Sequence, residues 1–140
     1  RLALERFAQM VRLQGGDEQY VFEPSLFKDA PFKVTIRAKE SGYVSAIDAE
    51  AVGKAAAALG GGREKKGDPI DHTVGINFKL RLNGKVEKGD VIAILYAKEL
   101  KKADAAGALI EGCYQLSKEP QADDRLLYAY VTEKGIEYYD

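Results

Sequence analysis

The chain has 140 residues, of which 46% are apolar and 31% charged, so it is long enough for one ordinary domain with its own core and is not of disordered composition. Its net charge of −1 argues against a dedicated nucleic-acid binder, because such proteins normally carry a basic excess. The single cysteine, Cys113, cannot form an intrachain disulfide, and no apolar run approaches the roughly 20 residues that cross a bilayer. We therefore expect a cytoplasmic protein with no nucleic-acid and no membrane partner.

The first 31 residues predict one helix and a connection. Apolar residues at helical spacing indicate an amphipathic helix over residues 2–14, ended by Gly15 and Gly16. Residues 17–31 lose this pattern and include two prolines, so we interpret them as a linker. The chain opens in a helical pattern at Arg1 without a Met, so we expect a piece of a longer polypeptide.

Residues 32–140 alternate between strand and helix patterns. The runs FKVTIRA and GYVSAIDA predict two strands, followed by a helix that Asp48 caps and Gly60 to Gly62 end. An extended run, TVGINFKLRLNG, then leads to a strand, a tight turn and a strand in NGKVEKGDVIAILYAKE. A second helix is expected in ELKKADAAGALIEGCYQLS, and RLLYAYVT with GIEYYD predicts a terminal hairpin. The second helix is expected to direct one face to the core: Ala103, Ala106, Leu109, Ile110, Cys113 and Leu116. The order β-β-α-β-β-α-β indicates the α+β class.

The residues able to carry chemistry are few and scattered. His72 is the only histidine, and its neighbour Asp71 points to the opposite face if both lie on a strand, so we expect a structural or exposed histidine. One Cys and one His cannot form a zinc site, and Cys113 falls on an apolar helical stripe that predicts burial. The serines lack a nucleophile context. The alternating Tyr128 and Tyr130 are typical of a packed sheet face.

The stretch ALGGGREKKGDPIDHTVGI raises the possibility of a phosphate site, since three glycines are followed by basic residues. A phosphate cradle needs glycines between a strand and a helix N-terminus, whereas Gly60 to Gly62 follow a helix. A helix C-terminus presents carbonyl oxygens, which repel phosphate. We therefore interpret these glycines as an exit turn, with Arg63, Lys65 and Lys66 complementing the carbonyl end of the helix.

One set of separated motifs is more specific. Three motifs follow one another along the chain: SGYVSAIDAEAVGKAAAALGGGR, DPIDHTVGI and NGKVEKGDVIAILYA. Together they resemble the C-terminal domain of the pyrimidine-nucleoside and thymidine phosphorylases. The resemblance covers about residues 32–118, and ALERFAQMVRLQGGD is similar to the helix that precedes this domain in those enzymes.

The resemblance implies an α/β hammerhead, in which a β-hairpin motif is split by a helical insertion. It implies that residues 1–31 are a helix and linker from the end of a central α/β domain, and that residues 32–140 are the C-terminal domain with a terminal hairpin. The parent would be a homodimeric pentosyltransferase of nucleoside salvage. Its reaction is phosphorolysis, in which phosphate converts a pyrimidine nucleoside into base and pentose 1-phosphate.

The family's binding and catalytic motifs lie upstream of the matched segment and are not found in this sequence. The resemblance therefore assigns no catalytic, substrate-binding, cofactor-binding or metal-binding residue here. It implies no cofactor, phosphate being a co-substrate of the parent. It also implies that the isolated chain is inactive, serves as part of the phosphate-side α/β body, and has the remainder of the enzyme as its partner.

A carrier module is the alternative. Two segments are similar to the two halves of a biotinyl or lipoyl domain: ESGYVSAIDA and GKVEKGDVIAILYAKE. Lys98 would then be the modified lysine. The sequence LYAKE lacks the methionines that flank a biotinylated lysine, and a helical pattern follows at once. The shared motif explains this similarity without the function.

Overall fold

The computed structural model describes residues 1–63, 65–121 and 127–139. The predicted first helix is confirmed as α1, Leu2–Leu13. It ends where the Gly16 N–H donates to Val11 O over 2.9 Å and the Gly15 N–H donates to Arg12 O over 3.0 Å. Gly15 has φ +83°, so this is the glycine-dependent helix end in which both bonds satisfy carbonyls of the last turn.

The segment interpreted as a linker is in part helical. A short helix α2, Gln19–Phe22, and a 3₁₀ turn, Pro24–Leu26, follow α1. The α2 helix contacts α1, and the rings of Tyr20 and Phe27 meet edge to face with centroids 4.6 Å apart. The sequence hides these turns because each is too short to show a helical period.

Six strands form two antiparallel sheets. The first sheet has the order β1-β5-β3, from Phe32–Arg37, Val91–Ala97 and Gly75–Phe78. The second has the order β4-β2-β6, from Lys85–Val86, Gly42–Ile47 and Tyr114–Ser117. Two helices lie between strands in the sequence, so the α+β class is confirmed.

The predicted strand, tight turn and strand are present as β4, the turn at Lys88 and Gly89, and β5, but the two strands do not pair with each other. Strand β4 pairs with β2, whereas β5 pairs with β1 and β3. The turn between them is held by Ala38, whose N–H donates to Asp90 O and whose carbonyl accepts from the Gly89 N–H. These bonds direct the chain from one sheet into the other instead of folding it back.

Helix α4, Leu100–Gly112, lies against β5 and β1, and helix α3, Ala49–Ala56, packs on α4. Asp48 caps α3 as predicted, accepting from the Ala51 N–H over 3.0 Å. The second predicted helix extends too far, because residues 114–117 form β6 and pair with β2. Leu116 therefore belongs to a strand, and Leu109 is 37% exposed rather than in the core.

The core lies between α4, α3 and the two sheets. Its largest fully buried side chains are Leu59, Ile92, Leu95, Ile110, Val44 and Cys113. Helix α4 approaches β1 closely because Gly107 lacks a side chain, and a Cβ there would lie 3.1 Å from Ile36 Cδ1. No buried polar or charged residue occurs in the described part of the chain.

The terminal hairpin is confirmed as β7, Ala129–Thr132, paired with β8, Gly135–Tyr138. Arg125 and Leu126, which belong to the same predicted run, lie outside the described residues. Tyr128 and Tyr130 are 63% and 57% exposed, so the expected packed sheet face is wrong. Among the described residues, no helix is both long and apolar enough to span a membrane.

Candidate functional site

The glycine-rich segment is the exit from α3, as the sequence predicted. The helix continues into a wider turn, Ala57–Gly61, and Gly60 has φ +99°. The Gly60 carbonyl accepts from the Asp71 N–H over 3.0 Å. The Lys65 N–H donates to the Asp68 carboxylate over 2.7 Å. An amide that an anion would need is thus already bound to a carboxylate of the same loop.

Asp71 is the best-connected polar residue of this loop. One carboxylate oxygen accepts from the Thr73 N–H at 3.0 Å and from the Thr73 hydroxyl at 2.7 Å. The other lies 2.6 Å from the Lys98 Nζ. The hydrogen bond from Lys98, followed by the two from Thr73, lowers the pKa of Asp71 to about 2, because each favours the ionised carboxylate.

Lys98 lies at the junction between β5 and α4. The strand ends at Ala97 and the helix begins at Leu100, so Lys98 does not lie at the tip of a hairpin, where a carrier domain presents its modified lysine. Its ammonium is engaged by Asp71, although the side chain is 56% exposed. This ion pair joins the loop after α3 to the start of α4.

His72 is exposed and lies beside this ion pair. No hydrogen bond or ion pair joins its ring to another group in residues 1–63, 65–121 and 127–139. Asp71, its neighbour in the sequence, uses both carboxylate oxygens on Thr73 and Lys98. The geometry therefore assembles no Asp–His pair for general acid–base chemistry.

Cys113 is confirmed as a buried residue, 1% exposed, at the C-terminal end of α4. Burial raises the pKa of its thiol, which disfavours the thiolate that nucleophilic chemistry requires. Ser41 and Ser117 both make structural bonds. The Ser41 hydroxyl accepts from the Lys88 N–H, and the Ser117 hydroxyl donates to Glu119 O.

Two open grooves meet at His72 and Thr73. One, of about 610 Å³, runs along β3 and includes Phe27, Lys28 and Tyr96 in its lining. The other, of about 590 Å³, lies between Gly60 and the start of α4. The second groove contains the Thr73 hydroxyl bonded to the Asp71 carboxylate, but the lowered pKa of Asp71 makes this carboxylate a weak base. In the described part of the chain, no three His, Cys, Asp or Glu side chains converge in a way that could hold a metal ion.

The Asp71–Lys98 pair is the feature of this region that sequence reasoning missed. Its partners are 27 positions apart and belong to different elements, so no helical or strand spacing relates them. The only available signal was the position of each residue beside a predicted strand, which does not identify a pair.

The fold places the chain in the α+β class. The family model for the pyrimidine nucleoside phosphorylase C-terminal domain matches residues 43–117. The chain belongs to this family. The resemblance drawn from the sequence motifs is confirmed.

Relatives named as whole enzymes match most of the chain. The pyrimidine-nucleoside phosphorylase of Bacillus subtilis (strain 168) is 37% identical over 131 residues, which cover 94% of this chain and 30% of that protein. The thymidine phosphorylase of Sinorhizobium fredii (strain NBRC 101917 / NGR234) is 36% identical over 131 residues, again 30% of its length. The pyrimidine-nucleoside phosphorylase of Geobacillus stearothermophilus is 36% identical over 130 residues. The chain thus spans about 30% of the relatives that it matches, and these matches give the carrier hypothesis no support.

Proposed function

We propose that this chain is the C-terminal part of a pyrimidine-nucleoside phosphorylase. The match of residues 43–117 to the C-terminal domain of that family carries the proposal. The names of the relatives and the 30% of their length that the chain covers support it. The whole enzyme would transfer the pentose of a pyrimidine nucleoside to phosphate, releasing the base and a pentose 1-phosphate.

In this proposal the catalytic and substrate-binding groups belong to the part of the enzyme that precedes the matched segment. The absence of an Asp–His pair, of a reactive thiol and of a metal cluster from the described residues is consistent with this division. Phosphate is a co-substrate, and no further cofactor is proposed. A buried thiol, Cys113, is in keeping with a cytoplasmic enzyme.

The chain itself would be a rigid part of the phosphate-side body, built as an α/β hammerhead. The insertion of α3 between the strand pairs supports that description. Residues 1–31 would belong to the end of the preceding domain, because the large apolar side chains of α1 face solvent while the core cluster lies between Ala38 and Cys113. The remainder of the enzyme, and a second subunit of it, would be the partners.

A chimera tests this assignment. The matched segment of the Bacillus subtilis relative is replaced by this chain, and release of base from uridine and thymidine is measured with and without phosphate. We expect phosphate-dependent release by the chimera and none by the isolated chain. Activity of the isolated chain would overturn the assignment of the catalytic groups to the preceding part. A folded chimera, verified by a cooperative melt, that releases no base would overturn the assignment to this enzyme.

A further inference from the structure

The outer edge of β3 presents backbone groups in a position to pair with another strand. Strand β3 is at the end of its sheet, beside β5 only. Lys79 N–H donates to Ile92 O over 2.9 Å, and bonded pairs alternate along an antiparallel ladder. Asn77 and Gly75 therefore bond to β5, whereas the N–H and C=O of Ile76 and Phe78 point outward. The described residues provide no hydrogen-bond partner on that side.

This edge opens into the groove of about 610 Å³, which Phe27, Lys28 and Asp29 line beside β3. Nothing lies within 4 Å of a Cβ built on Gly75, so the face of the sheet toward which this Cβ would point is open. Asp29 is paired with Lys33 over 2.6 Å. Lys28 and Lys79 have no ion-pair partner in residues 1–63, 65–121 and 127–139, so this edge carries uncompensated positive charge.

The terminal hairpin has a matching edge in β8. Its ladder pairs Thr132 with Gly135 across the turn and Tyr130 with Glu137. The Tyr139 N–H donates to Tyr128 O over 3.0 Å. By the same alternation, the backbone groups of Ile136 and Tyr138 point away from β7. Both side chains are exposed, at 55% and 76%, and an isolated two-stranded hairpin is marginally stable in water.

The two edges are complementary in register, polarity and charge. Antiparallel pairing that places Ile76 opposite Tyr138 and Phe78 opposite Ile136 satisfies both sets of outward backbone groups. Apolar residues then face apolar residues on one side of the extended sheet. On the other side, Glu137 lies opposite Asn77 and diagonal to Lys79, at a spacing where opposite charges attract.

We propose that β8 of a second copy of this chain adds to the β3 edge, and that two copies exchange their hairpins in this way. The exchange is reciprocal, so it gives a closed two-fold dimer with two such contacts rather than an open chain. This pairing satisfies the backbone groups at the exposed edges of both strands. Unpaired strand edges otherwise promote aggregation. This inference concerns the assembly of the chain and is independent of the proposed phosphorolysis.

Proline at one outward position tests the contact, with a matched control on the other strand. Ile136→Pro removes an N–H that the hairpin itself does not use, whereas Val131→Pro removes the equivalent outward N–H from β7. Sedimentation of the full chain should give a concentration-dependent dimer for the parent sequence and for Val131→Pro, and a monomer for Ile136→Pro. Amide protection of Glu137 and Tyr130 verifies that each hairpin still forms.

Reversing the charge of Glu137 is a second test of the proposed contact. Glu137→Lys should raise the dimer dissociation constant about tenfold, and adding Lys79→Glu should restore it, because the diagonal pair is rebuilt with the charges exchanged. In the dimer, the amides of Ile76 and Phe78 should become protected from hydrogen exchange. A chain that remains monomeric at sub-millimolar concentration, or a dimer that Ile136→Pro leaves intact, would overturn the proposal. Protection of these amides in a monomer would do so as well, since it would mean pairing within one chain.

Discussion

At the scale of single residues, Asp71 organises the region between the two grooves. It fixes Thr73 at the start of the path into β3 and holds Lys98 at the head of α4. Its own N–H is bound to the carbonyl of Gly60 at the end of α3. The backbone and side chain of one residue thus connect three elements. The effect of the side chain depends on its negative charge because the lysine contact and both Thr73 donors favour the carboxylate.

Replacing Asp71 by Asn should make stability less dependent on acid. The pKa of Asp71 is lowered to about 2 from an ordinary value of 3.8. A lowered folded-state pKa gives stability that is present above the unfolded-state value and lost as pH falls through the folded-state value. Asp71→Asn should therefore lower the melting temperature at pH 7, and the difference from the parent should shrink between about pH 4 and pH 2.

The partner residue provides the control for this prediction. Lys98→Gln should lower the melting temperature in the same pH range, and the double variant should lose less than the sum of the two single variants, because both remove one contact. Thermal melts at several pH values measure all three variants. A difference between Asp71→Asn and the parent that stays constant from pH 7 to pH 2 would contradict the assigned role.

Contacts between residues close together in the sequence could be predicted from it, whereas contacts between distant residues could not. Asp48 as a helix cap and Gly60 as a helix end depend on chemistry within three or four residues, and both are confirmed. The contact between Asp71 and Lys98 depends on two chain segments meeting in space. Neither residue type nor spacing encodes that meeting.

At the scale of elements, the face of α4 distinguishes two neighbouring aliphatic residues. Ile110 is fully buried, whereas Leu109 is 37% exposed, although the sequence placed both on the core face. Ile110→Ala should lower the free energy of unfolding by about 2–5 kcal/mol, because it leaves a cavity in a packed core. Leu109→Ala should cost about 1 kcal/mol or less. Urea unfolding compares the two, and equal losses would indicate that the helix is rotated from its described position.

A second prediction at the scale of elements concerns the end of α3. A helix C-terminus presents carbonyl oxygens, and the Lys65 amide in the following loop is bound to Asp68. We expect no saturable phosphate binding by this loop at physiological concentration. Titration of phosphate should leave the amide signals of Gly60 to Lys66 in place. Saturable shifts below the millimolar range that Arg63→Ala abolishes would establish a site there.

The existence of most elements followed from periodicity, but their pairing did not. The strands on either side of Gly89 were recognised, and yet they belong to different sheets because Ala38 binds the turn between them. The strand β6 was hidden inside an apparent helix because its four residues carry no period of their own. Its position is determined by the edge of β2, a distant part of the chain.

At the scale of the whole molecule, the core does not need the first helices. The core cluster contains buried residues from Ala38 to Cys113, and α1 buries only Ala8. A chain of residues 32–140 should therefore unfold in one cooperative transition, measured by calorimetry and by circular dichroism. A broad transition accompanied by strong binding of a hydrophobic dye would contradict this prediction.

The pairing of β2 with β6 also determines when folding can be completed. Ser117 of β6 pairs with Tyr43 of β2 across a separation of 74 residues, and β1 pairs only with the distant β5. During synthesis on the ribosome, β1 and β2 emerge before β5 and β6, so their apolar residues stay exposed until these partners are made. Such non-local order slows folding, because the entropy of closing long loops is lost before the contacts that reward it form. Only when residue 117 has left the exit tunnel can both sheets be closed.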